Sequence, residues 1–81
     1  MEDGAALKES LTTRLMSASE ADPIIRFFLF THLPPDKLKP ISEVFAATAM
    51  FVVESLPRNA ERTVALRKLL EAKDAAIRAA L

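Results

Sequence analysis

The stretch VFAATAMFVV, Val44–Val53, carries one polar residue, Thr48, in an otherwise apolar run. Around it, Ile41, Val44, Phe45, Thr48, Val52 and Leu56 recur at helical spacing and predict a helix over 38–56. The run does not stop at one face, because Ala46, Ala47, Ala49, Met50, Phe51 and Val53 make this helix apolar nearly all round. Helices of that kind are covered on several sides. A chain of 81 residues has too few other elements to cover them all, so further copies of the chain are expected to do so.

On the C-terminal side, Pro57, Arg58 and Asn59 read as a short connector, with Asn59 as the N-cap of a last helix over 60–80. Leu66, Leu69, Leu70, Ala76 and Ile77 give that helix an apolar stripe, while Arg67, Lys68, Glu71, Asp74 and Arg78 lie largely elsewhere. Asp74 and Arg78 have the spacing of a helical ion pair. Lys73 falls in register with the stripe, where its stem can cover apolar surface while its amine reaches water. The two helices together predict a long antiparallel αα-hairpin.

On the N-terminal side lies FFLFTHLPP, Phe27–Pro35, in which bulky apolar residues run into Thr31, the only histidine and two prolines. Leu33 precedes a proline and is pushed toward extended geometry, so 31–37 reads as a Pro-rich connector. Before it, Asp22 and Pro23 offer a capping acceptor and a proline at the first helical position, predicting a short helical turn over 23–30. Leu7, Leu11 and Leu15, four apart, predict an amphipathic helix over 5–19, with nothing in the sequence to fix where it docks. The expected fold is all-α: one domain, 1–81, with a short N-terminal helix and the hairpin, assembled as a compact homo-oligomer. There is no internal repeat and no low-complexity tail.

Composition narrows the partners. Eleven basic residues balance eleven acidic ones, which argues against duplex nucleic acid or an anionic membrane as partner. Any anionic ligand has to be small and locally held. No apolar run approaches about 20 residues, and the start Met1-Glu2-Asp3 lacks the basic patch of a signal peptide, so a cytoplasmic protein is the expectation. With no cysteine, neither a disulfide nor a thiolate metal site can staple a core this small, which again points to oligomerisation.

Enzyme signatures are absent from the sequence. Gly4 is the sole glycine, so there is no glycine-rich phosphate loop, and no cysteine nucleophile or second histidine is available for a metal pair. The glutamates are scattered without a spacing that sets two carboxylates on one bond. No catalytic residue, metal or cofactor is expected. Three features could instead bind a ligand. His32 beside Phe30 could stack on a planar group or donate to a phosphate, or be a turn histidine satisfied by backbone or water. Arg58 and Arg62, four residues apart around the start of the last helix with Thr63 beside them, could hold an anion, or could be solvated with Glu61 as a local salt partner. Thr63 could equally bond a neighbouring carbonyl. Phe27, Phe28 and Phe30 could form core or a ligand platform.

The order of these residues carries a resemblance. Phe30-Thr31-His32-Leu33-Pro34-Pro35, a long apolar helix, then Pro57, Asn59, Glu61-Arg62-Thr63, Ala65-Leu66 and Lys68-Leu69-Leu70-Glu71-Ala72 resemble the small phage anti-CBASS cyclic-oligonucleotide sponge family over the last two thirds of the chain. Members of that family have a Phe-Thr-Tyr-His-Pro-Pro type turn and a Ser-x-Glu-Arg-Ser helix start followed by Ala-Leu. His32 stands where the family turn has tyrosine, and Leu33 where it has histidine. The resemblance implies a compact helical homo-oligomer, typically a hexamer, that binds cyclic di- or trinucleotides between subunits without cleaving them and so blocks host anti-phage signalling. Residue by residue it carries over to Thr31, Pro34, Pro35, Glu61, Arg62 and Thr63; joined to the residue reading above, it gives Phe30, Thr31, His32 and Pro34 as one expected wall of the pocket, and Arg62, Thr63 and Arg58 from a neighbouring chain as expected phosphate holders. The competing reading is a helical oligomerisation or adaptor module that binds another protein and no nucleotide.

Overall fold

A computed structural model describes residues 4–30 and 38–81, with the side chains of 11–30 and 38–81. Helices α1 (Gly4–Ala21), α2 (Leu38–Ser55) and α3 (Ala60–Ala80) and one 3₁₀ helix (Pro23–Phe28) account for most of these residues, and no strand occurs among them. The sequence expectations of helices over 5–19, 23–30, 38–56 and 60–80 agree with these bounds to within two residues at each end.

Local chemistry accounts for the ends. Pro40 sits in the first turn of α2, where the amide it lacks has no helical partner in any case. Pro57 forces the preceding Leu56 away from helix, although the Leu56 amide still donates to the Val52 carbonyl at 3.1 Å. Asn59 is extended and its side-chain oxygen accepts from the Arg62 amide at 2.9 Å, capping α3. Glu61 in the first turn and Arg78 in the last turn match the α3 dipole.

The core is small and is built around the 3₁₀ helix, which contacts α1, α2 and α3. Leu15 of α1, Ile25 and Phe28 of the 3₁₀ helix, Phe30 just beyond it, Ala46, Ala49 and Met50 of α2 and Leu66 of α3 are buried together. Leu11, Ala18, Phe45, Val53, Leu69 and Leu70 close around them. Full burial of Phe28 or Phe30 stabilises by about 1.5–3 kcal/mol each, so these two rings dominate a core whose α2 contribution is mostly alanine. The molecule is flattened, 36 × 35 × 17 Å, which leaves little interior for its length.

Two expectations change here. The buried edge of α2 is Ser42, Ala46, Ala49 and Met50; of the expected face Ile41, Val44, Phe45, Thr48, Val52 and Leu56, Phe45 and Val52 pack against the core, while Val44, Thr48 and Leu56 are exposed. Helix axes approach according to the side chains between them, and the small residues Ala46 and Ala49 of α2 are fully buried against its neighbours. Val44 and Phe51, on the opposite side, are 65% and 69% exposed. Lys73 is the second change: its amine donates to the Phe27 carbonyl at 2.6 Å, tying α3 to the end of the 3₁₀ helix.

The N-terminal helix, undocked by the sequence, packs on the 3₁₀ helix and on α2. Arg14 of α1 pairs with Glu54 of α2 through both carboxylate oxygens, with the Nε donation at 3.0 Å. The hydrogen bond to Glu54 raises the Arg14 pKa above its ordinary value, assisted by the carboxylate charge and opposed by slight desolvation. No helix among the described residues is long and apolar enough to cross a membrane.

Candidate functional site

Asp22 sits between two helices and is fixed from both sides. Its amide donates to the Ala18 carbonyl at 2.9 Å, ending α1, and its carbonyl accepts from the Ile25 amide at 2.9 Å, opening the 3₁₀ helix. The side chain does not cap that helix, contrary to the expectation from the Asp22-Pro23 pair. It turns instead toward the start of α3, where two arginines reach it.

Arg62 donates from Nη1 to Asp22 Oδ1 at 3.4 Å and from Nη2 to Oδ2 at 3.2 Å, an end-on fork on one carboxylate. Its Nη2 also reaches the Val53 carbonyl at 3.4 Å, near the end of α2. The Arg62 side chain is only 7% exposed and that of Asp22 12%. One guanidinium thus joins α3, α2 and the α1–3₁₀ junction. Removing Asp22 would leave the buried Arg62 guanidinium without a carboxylate, a change that costs about 3–5 kcal/mol in buried pairs.

Arg58 approaches the same carboxylate from outside. Its Nη2 donates to Asp22 Oδ2 at 3.1 Å and to the Ala21 carbonyl at 3.3 Å, while its side chain is 61% exposed. Exposed pairs of this type are worth about 0–1 kcal/mol. Asp22 and Glu61, the latter in the first turn of α3, formally balance the two guanidinium groups, so the positive end of the α3 dipole is what remains at this end. Within the cluster, Arg58 is the group most open to solvent.

The other proposed site residues are placed as follows. Thr63 lies beside the cluster with its hydroxyl donating to the Asn59 carbonyl at 3.3 Å, the backbone-bonded alternative. Phe30 is buried in the core beside Phe28, which leaves its ring no free face for stacking in the single chain. Phe27, by contrast, is exposed. Thr31, His32 and Pro34 lie outside the described residues. Among the described residues no group of three His, Cys, Asp or Glu side chains could hold a metal ion.

Asp22 is the member that sequence reasoning missed. The local candidate for pairing with the arginines was Glu61, yet the partner lies 36 and 40 residues upstream. The usable signal was an aspartate at a helix junction in a chain whose last helix opens with two arginines; pairing them required the fold. No protein-family model matches the chain, nor does any curated protein or solved structure match it.

Proposed function

We propose that this chain is a sponge for cyclic oligonucleotides: it binds a cyclic di- or trinucleotide between subunits of a homo-oligomer, hexameric by the resemblance, and holds it uncleaved, so that a host anti-phage effector is not switched on. The observation that carries the reading is the convergence of Arg58 and Arg62 beside the start of α3, with the Arg58 side chain mostly in solvent. Planar guanidinium forks suit the paired oxygens of a phosphodiester. In this reading α2 and α3 are the antiparallel hairpin, and the exposed Val44 and Phe51 meet other subunits. The resemblance, joined to the residue reading, assigns Thr31, His32 and Pro34, which lie outside the described residues, to the base-facing side of the site.

Calorimetry against a panel of cyclic di- and trinucleotides tests the reading. Saturable binding to at least one member, at a stoichiometry below one ligand per chain, is the expected result for a site shared between subunits. Absence of binding to the whole panel would favour the second reading, a helical self-association or adaptor module. The internal pairing of both arginines with Asp22 supports that alternative, since it gives them a structural task without any ligand.

A further inference from the structure

Arg58 and Arg62 hold the same carboxylate from different surroundings. Arg62 is nearly buried and donates in two directions, to both Asp22 oxygens and to the Val53 carbonyl. Withdrawing it would leave Asp22, itself mostly shielded from water, with only the exposed Arg58, and would break the contact to the Val53 carbonyl. Arg58 uses a single nitrogen, Nη2, for both of its contacts, and most of its side chain lies in solvent. Its Nε and Nη1 make no hydrogen bond to a described residue.

We propose that the two arginines divide the work of the site. Asp22 and Arg62 are a fixed positioning pair, and Arg58 is an exchangeable arm that leaves Asp22 to grip a phosphodiester or pyrophosphate group from outside. The exchange is feasible because Asp22 keeps Arg62 when Arg58 departs, so no buried charge is left alone. A single carboxylate ligand would only repeat what Asp22 already offers. A phosphate group adds paired oxygens that match the edge of the Arg58 fork that meets no described residue. In the absence of ligand, Asp22 holds the arm beside α3 and competes for it. The inference rests on the anion-binding part of the proposed function and can fail independently of it.

Inorganic pyrophosphate is the probe, titrated calorimetrically against the full-length chain and the variants Arg58→Ala, Arg58→Lys and Asp22→Asn. Arg58→Ala is expected to weaken pyrophosphate binding about ten-fold or more while the melting temperature stays within about 4 °C, the shift of a surface contact in a small domain. Arg58→Lys, which keeps the charge without the fork, should fall between. Asp22→Asn should bind pyrophosphate more tightly although the protein becomes less stable, a combination that a purely structural aspartate would not produce. Should Asp22→Asn fail to fold, the Arg58→Ala comparison decides alone. Unchanged affinity in Arg58→Ala, or no pyrophosphate binding by the unmodified chain, overturns the proposal. The same proteins titrated with a cyclic dinucleotide separate the two ideas. Equal nucleotide binding by Arg58→Ala and the unmodified chain removes the arm and leaves sequestration standing. Pyrophosphate binding that is lost in Arg58→Ala, with no cyclic nucleotide bound by either protein, does the reverse.

Discussion

Asp22 shows how one side chain can be diverted from a local task to a distant one. Its position before Pro23 suits a cap, yet Pro23 has no amide and the Ile25 amide already bonds the Asp22 carbonyl, while Arg62 is buried and needs a counter-charge. The larger penalty decides where the carboxylate points. The same asymmetry predicts unequal effects at two arginines that look alike in sequence. Arg62→Ala should lower the unfolding free energy clearly more than Arg58→Ala, which should cost less than about 1 kcal/mol, read from urea denaturation midpoints at constant slope. Equal losses at the two positions would mean that Arg62 is not the buried structural partner described here. The basic half of the site was legible in the spacing of Arg58 and Arg62. Its acidic half was not, because a pairing across 36 to 40 residues leaves no local pattern.

The elements themselves were legible because each has a periodic stripe and a chemical stop. Asn59 is the sharpest case, an N-cap read from sequence whose oxygen accepts the Arg62 amide. Asn59→Ala should therefore cost about 1 kcal/mol by chemical denaturation, and Asn59→Asp should restore most of it. The face of α2 was not legible. When nearly every side is apolar, hydrophobic spacing cannot select the buried one, and the choice falls to size: Ala46 and Ala49 admit close neighbours, whereas Val44 and Phe51 do not. The link from α1 to α2 carries a pH prediction. The Glu54 hydrogen bond raises the Arg14 pKa, so the stability it supplies is complete below the ordinary arginine value and is lost only as pH climbs through the raised one. The destabilisation caused by Arg14→Gln should accordingly be the same at about pH 7 and about pH 10, both far below that window.

At the scale of the whole molecule, the flattened shape and the alanine-rich centre leave a modest core, and large apolar side chains remain outside it. Val44 and Phe51 share one side of α2, seven residues apart, and so present a stripe rather than scattered contacts. The account therefore predicts an assembly. Light scattering should give a multiple of the 8.9 kDa chain mass, six-fold for a hexamer, and Phe51→Glu should reduce that mass while the helical circular dichroism persists. A mass near that of one chain at micromolar concentration would remove the intersubunit pocket from consideration. The apolar excess of α2 was readable from Val44–Val53 alone, but the number of copies is a property of surface geometry that no local pattern encodes.

Sequestration without chemistry is the central claim, and recovery of the ligand tests it most directly. The assembled protein is incubated with the cyclic nucleotide that it binds most tightly, freed of unbound ligand, denatured, and the supernatant is separated by chromatography. The account predicts intact cyclic nucleotide, released in proportion to the protein. A linearised or hydrolysed product, or no retained nucleotide across the whole panel, would contradict it.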